Sequence, residues 1–382
     1  MSSEFKVEVV KLGPVTKHPN ADNLSLTTVN GQTCVMKTGG LFEGDLAVYV
    51  PEDAVVPLSN PVFEFLRRHE EDTTARIRPV RLRKIYSEGI LIPLRELSLD
   101  VDRVPVGTDC AKALGIVKYE QPININSKVA MAAAKQAKDP GCAPRYDMEP
   151  FLKYADVTFQ QGEEVVCTEK IHGCNFRAVF QGGQLYVGSH NTFRSPPRVP
   201  SRFLGYLNGL KSAFFTGSKN LTFKERFQRG FQAKASTPKA DPWWTVAQRL
   251  YLAEELRDTP GVVVYGEVYG HVQDLTYSVS EQEIVKFAAF DVYDSTRRQW
   301  LEYDEAIAFC ESRGIPFVPL IYRGPYSRAA VEPLRSGKSL VDNKTIREGF
   351  VIRRASDLTN GRASLKLVSE EYKLRKEGTE FH

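Results

Sequence analysis

The sequence predicts two domains: a small closed β-barrel over residues 1–120 and an α+β domain of antiparallel sheets over residues 151–382. Residues 121–150 form the predicted connection between them. Three observations lead there. The first third of the chain is a series of short β-rich segments separated by Gly, Asn, Asp and Pro, the pattern of a small barrel. A stretch containing Pro140, Gly141 and Pro144 then breaks that pattern. Beyond it, strands and helices mix without the regular alternation that a doubly wound parallel sheet requires.

The elements follow in order. FKVEVVKLG, LSLTTVNG, QTCVMKTG, DLAVYVPE and GILIPL are rich in β-branched residues and end in turn formers, so each reads as a strand. INSKVAMAAAKQAKD reads as a short helix at the start of the connection. In the last part VVCTEKI, RAVFQGGQLYVGS, GVVVYGEVYG, IVKFAAFDVYD, EGFVIRR and SLKLV read as strands. TVAQRLYLAEELRD (245–258) and YDEAIAFCESRG (303–314) have helical spacing, the second ending in Gly314.

Composition narrows the class. Apolar residues make up 42% and charged residues 26%, the balance of a globular protein with a core of its own. No apolar run reaches the ~18 residues of a membrane span, and the N-terminus lacks a secretory-signal core. The six cysteines are scattered without a C-x-x-C pair, which argues for a reducing compartment over a disulfide or zinc framework. The expected location is the cytoplasm, with the nucleus also open.

The net charge of +4 is uneven. Residues 191–250 hold eleven Lys/Arg against two acids, a balance of +9, which leaves −5 for the rest. A basic insertion of this kind suits phosphate contact, and a solvated surface face explains the charge equally well. Ten aromatics, from Phe193 to Trp244, interleave with these cations. They either stack on bases or form the insertion's own core, and the core reading is favoured for most of them. Arg76, Arg78, Arg81, Arg83 and Lys84 make a second basic cluster, a candidate for where the barrel meets a duplex.

The chemistry concentrates in TEKIHGCNF (168–176), which sets Lys170 three residues before Gly173. Alone, that spacing describes many surface lysines. Four later segments change its weight: YGEVYG with Glu267, FAAFDVYD with aromatics beside Asp291, EGFVIRR opening on Glu348, and SLKLVSEEYKLRK with Lys366 inside an apolar run. A charge placed in an apolar strand requires a partner, because burying it alone is costly.

As an ordered set these segments resemble the covalent nucleotidyltransferase superfamily of ATP-dependent DNA ligases, RNA ligases and capping enzymes. EKIHGCNF and SLKLVSEEYKL are most similar to the RNA ligases. KHPNADNLSLTTVNG (17–31) resembles the opening of OB-fold modules of the tRNA-binding type, and VRLRKIYSEGILIPL a later stretch of one RNA ligase branch with an N-terminal OB module. The resemblance implies an OB-fold barrel followed by an α+β nucleotidyltransferase domain with ATP-grasp-like antiparallel sheets.

The resemblance also implies roles. Lys170 attacks the α-phosphorus of ATP and carries AMP covalently. Lys366 contacts the α-phosphate. Glu267 and Glu348 position Mg²⁺ or Mn²⁺ or its waters, an ion that takes few carboxylates and keeps water. Glu348 also belongs with the nucleotide contacts. Asn175 and Arg194 contact AMP and the 5′-phosphate. Phe287 stacks on adenine, with Phe290 its rival, and a core role is open for either. Glu169 holds adenine or ribose, and His172 orients a neighbour or is structural. The last motif of relatives carries two lysines as K-x-K, whereas here Ser364 takes the first position, with Arg362 a substitute for the lost cation. The implied partner is RNA with 3′-hydroxyl and 5′-phosphate ends in a nicked duplex, and the protein is expected to act as a monomer in RNA repair. A DNA ligase or a capping-type enzyme would use the same lysine. A non-catalytic RNA-binding protein would use only the barrel.

Overall fold

The computed structural model describes residues 5–97, 104–119, 136–196, 241–279, 284–356 and 362–375. In the first domain the strand Leu46–Val50 lies between Glu8–Lys11 and Ile90–Pro93, antiparallel to both. Leu24–Val29 pairs with Thr16–Lys17 and Gln32–Lys37, and Ala54–Pro57 with Thr74–Arg76 and Val117–Lys118. The short strands enclose a core that includes Val9, Val48, Val56, Phe63 and Ile92. A smaller cluster with Val29, Cys34 and Tyr49 lies on the other side of the central strand. The expected strands form as read. The hairpin Val80–Leu82/Ile85–Ser87 was not foreseen, because Arg and Lys occupy its turn where Asn-Gly would have announced one.

The second domain is two antiparallel sheets packed face to face. The larger has seven strands in the order Gln136–Ala137, Phe193–Arg194, Gln184–Gly188, Cys174–Gln181, Val262–Gly270, Val285–Asp294, Gln299–Trp300. The smaller has five: Glu149–Pro150, Ser364–Val368, Gly349–Arg354, Glu164–Lys170, Leu320–Pro325. Only Glu149–Pro150 runs parallel to its neighbour. Helices Pro242–Arg249 and Tyr303–Glu311 cover the outer face of the larger sheet through Trp243, Trp244, Ala306 and Cys310. Helix Phe151–Thr158 covers the outer face of the smaller through Phe151 and Ala155.

Two expectations need correction here. Residues 136–150, read as connection, contribute an edge strand to each sheet, because Ala143 and Tyr146 are buried beside the larger one. The single helix read over 245–258 is broken at Tyr251, which takes φ 50°. Of the helix expected over 125–139, residues 125–135 lie outside the described residues and Gln136–Ala137 form strand instead; residues 197–240 of the basic insertion also lie outside them.

The domains meet through ionic and steric contacts. Lys373, on the helix Glu370–Lys373, places its ammonium 2.8 Å from Glu52 and 3.0 Å from Glu88 of the barrel. Side-chain exposure is 2% for the lysine and 4% and 3% for the glutamates. Arg81 reaches Glu370 at 3.0 Å. The Asn30-Gly31 turn abuts Leu152 so closely that a Cβ on Gly31 would lie 2.2 Å from the Leu152 carbonyl oxygen.

Candidate active site

The chain crosses from the smaller sheet to the larger between Lys170 and Cys174, and the site is built around that crossing. Lys170 ends its strand opposite Gly349. Gly173 passes so near the other sheet that a Cβ there would sit 2.2 Å from the Val268 carbonyl oxygen. The glycine of the motif is therefore a steric necessity of the crossing.

Lys170 Nζ lies 2.5 Å from Glu348 Oε1. The glutamate is fully buried and the lysine side chain 14% exposed. Glu267 approaches from the larger sheet, where it pairs with Asn175. Burial pushes the Glu267 carboxyl up to about 8, with Lys170 opposing the rise and Glu348 adding to it. The buried Oδ1 of Asn175 has no hydrogen-bond partner, and the residue lines a cavity of about 70 Å³ together with Lys170, Glu267, Thr168, Phe290 and Val351.

His172 is fixed from three sides. Its Nε2 lies 2.9 Å from Asp274 and its Nδ1 3.0 Å from the Tyr372 hydroxyl. Its backbone N–H donates to the Tyr277 oxygen at 2.8 Å. Glu348 Oε2 lies 3.9 Å from Nδ1, near the histidine but beyond hydrogen-bond distance. Burial alone would raise Asp274, but His172 and Arg375 outweigh it and hold the acid at about 2.

Residues 163–368, more than half of the chain, match the family model for RNA ligase. The chain belongs to the RNA ligase family. Residues 6–94 match an OB-fold domain, which identifies the barrel of this RNA ligase family member. Among solved structures, Naegleria gruberi RNA ligase with pyrophosphate shares 20% identity at a TM-score of 0.71, covering 96% of this chain and 97% of that one. An apo variant of the same ligase gives 0.73 at 20% identity, covering 98% of each chain. A variant solved with AMP and Mn gives 0.72 at 20%, covering 96% and 98%. At this identity the likeness establishes the two-domain fold. No curated protein sequence matches significantly.

Not every residue expected in the site of this RNA ligase is found there. Lys366 stands opposite Val351 and so faces the same side of the sheet as Thr168 and Lys170. Glu169 alternates to the other side, where Leu340 N–H donates to Oε2 at 2.7 Å. Burial raises its carboxyl. It fastens a loop there, and the residue also lines the cavity beside Lys170. Phe287 also requires correction. Its ring packs in the helix-covered core, 4.7 Å from that of Phe176. Phe290, three residues on and so on the opposite face of the strand, lines the cavity instead. Arg194 is absent from the cavity wall and pairs with Asp241 at 2.5 Å beneath Trp243. Arg362 is held by Asp291 at 3.0 Å and donates to the Leu301 carbonyl at 2.8 Å, so it does not replace the missing motif lysine. Phe193, Trp243 and Trp244 are core residues. Sequence reasoning missed Tyr146 and Arg353, which both line the cavity. Arg353 was recoverable from the two-residue period that runs from Val351, whereas nothing local marked Tyr146.

Among the described residues no group of three or more His, Cys, Asp or Glu side chains gathers as a metal cage. The two carboxylates at Lys170 fit an ion that keeps most of its water. No helix among the described residues is long and apolar enough to cross a membrane.

Proposed function

We propose that this chain is an ATP-dependent RNA ligase that joins a 3′-hydroxyl to a 5′-phosphate through lysyl-AMP on Lys170 and an adenylylated RNA end, and that it acts at nicks in duplex RNA during repair. The observation that carries the reading is the Lys170 amine, set at the sheet crossing against Glu348 and facing Glu267. In the first step the amine nitrogen bonds to the α-phosphorus and the bond to the β-phosphate oxygen breaks, releasing pyrophosphate. The AMP then passes to the 5′-phosphate. A 3′-hydroxyl attacks that end and displaces AMP.

The residues supply what this chemistry needs. To attack, the amine must leave its contact with Glu348 and act as the free base. Glu267 and Glu348 would hold Mg²⁺ or Mn²⁺, whose charge would draw off the proton that burial otherwise keeps on Glu267 up to about 8. The ion supplies positive charge for the phosphate when bound. Lys366 is on the correct side of the sheet to add a cation at the α-phosphate. Phe290 and Val351 offer the apolar walls of a base site, and Asn175 an acceptor beside it. The Naegleria gruberi ligase is solved with ATP and Mn and with AMP and Mn.

The test is a ligation panel with RNA or DNA on each side of a nick and ATP, GTP or NAD as the nucleotide. ATP-driven sealing that requires ribose only on the 3′-hydroxyl side is expected. Labelling by GTP alone would indicate a capping-type enzyme, and equal sealing of an all-DNA nick would indicate a DNA ligase.

A further inference from the structure

The hairpin Val80–Leu82/Ile85–Ser87 closes in the two residues Arg83 and Lys84, at φ 46° and 76°. Positive φ at both positions is the turn for which Asn-Gly is the favoured pair. The barrel uses that pair elsewhere: Asn30-Gly31 closes the hairpin of Leu24–Val29 and Gln32–Lys37 at φ 52° and 80°. At the second turn the same geometry is forced on two long cationic side chains, which the left-handed region disfavours. Backbone strain of this kind persists where the surroundings hold it in place, and it concentrates at functional positions.

The surroundings do hold it. Asn20 Nδ2 donates to the Arg83 carbonyl at 3.0 Å, and His18 Nε2 lies 3.2 Å from the Leu82 carbonyl. The Asn20 N–H donates to His18 Nδ1 at 3.0 Å, which leaves Nε2 as the donor to Leu82. At the base of the hairpin Arg81 pairs with Glu370. Glu370 opens the helix whose Tyr372 hydroxyl touches His172, two residues beyond Lys170. The tip is thus a rigid projection from the domain junction, tied to the wall of the reaction site.

Two members of the basic cluster, Arg76 and Arg81, are engaged inside the protein. Arg76 pairs with Asp53 and stacks over Tyr119. Arg83 and Lys84 are exposed, and among the described residues no carboxylate pairs with either. We propose that Arg83 and Lys84 form a phosphate clamp that grips the RNA backbone beside the ends being joined. A tip made only of cations reads charge and not base edges, so the grip is independent of sequence. This rests on RNA being the substrate.

The experiment compares wild type with R83N/K84G, which keeps the turn and removes the charge, and with R83K/K84R, which keeps both charges. Melting temperature, AMP attachment, sealing, and the salt dependence of binding to nicked duplex RNA are measured. In R83N/K84G the melting temperature holds or rises and AMP attachment is unchanged. RNA affinity falls about tenfold, and the log–log salt slope shrinks by about 1.8, two phosphates' worth. R83K/K84R binds RNA within about twofold of wild type. An unchanged slope in R83N/K84G overturns the proposal and leaves the pair as a turn. Loss of AMP attachment in that variant also overturns it, because the hairpin would then act through the site. The slope is read from binding, so it tests the clamp even where the sealing activity proposed above fails.

Discussion

Replacing Lys373 with methionine keeps the length of its stem and removes the ammonium that contacts both Glu52 and Glu88. The three side chains are almost wholly buried, at 2.8 and 3.0 Å. Breaking a buried ion pair from one side costs about 3–5 kcal/mol, because the remaining charge is left uncompensated. Protonation caps that cost. A carboxyl with an ordinary value near 4.3 takes up a proton at pH 7 for roughly 3.7 kcal/mol, at about 1.4 kcal/mol per pH unit. The penalty in Lys373→Met is therefore expected at about 3–4 kcal/mol at pH 7. It shrinks toward about 1 kcal/mol at pH 5, since each orphaned carboxyl now has a raised native value and stability is lost as pH rises through it. The assay is urea unfolding followed by two probes. The three tryptophans are Trp243, Trp244 and Trp300, all in the ligase domain, so fluorescence reports on that domain alone and circular dichroism on both. The probes coincide in wild type and separate in the variant as the barrel undocks. Adding Glu52→Gln and Glu88→Gln to the variant restores most of the loss. A penalty below about 1 kcal/mol at pH 7, or one that does not close by pH 5, would refute the reasoning.

Glu267→Gln should make the metal-free protein more stable as pH rises. Native Glu267 keeps its proton up to about 8, whereas the unfolded chain releases it near 4.5, so wild type loses stability across that window. The interval caps the gain at about 5 kcal/mol, and partial exposure reduces the expected value to about 1–3 kcal/mol at pH 8.5. A gain equal at pH 5 and pH 8.5 would contradict this, and AMP attachment should fall in the variant. Phe290→Ala should raise the KM for ATP about tenfold with little change in melting temperature. Phe287→Ala should instead cost about 3–5 kcal/mol of stability as a core truncation. The reverse pattern would return the base platform to Phe287.

Most of the fold is legible in the sequence because its strands are locally encoded. SLKLV and EGFVIRR become strands almost as read. Residues 136–150 are not legible, since their edge strands exist only through pairing with residues 193–194 and 365–366. At the site, Lys170, Glu267, Glu348 and Asn175 are named by their motifs and come together. Phe287 misleads because both aromatics lie in one apolar strand and the motif does not say which face meets the cavity; residues three apart face opposite sides, and Phe290 lies on the cavity side. Glu169 lines the same cavity, while its carboxylate accepts from Leu340, a loop contact 171 positions away that no local pattern marks. The anchoring of His172 by Asp274 and Tyr372 depends on residues 102 and 200 positions away, beyond any local pattern.

The most direct measurement is transfer of label from α-³²P-ATP to the protein, in wild type and Lys170→Ala, with Mn²⁺ or Mg²⁺ present. Wild type is expected to gain an acid-labile, alkali-stable phosphoramidate label, and Lys170→Ala to stay at background while retaining the wild-type melting temperature to within a few degrees. Labelling of a folded Lys170→Ala protein at the wild-type level would contradict the assignment of this amine as the AMP carrier.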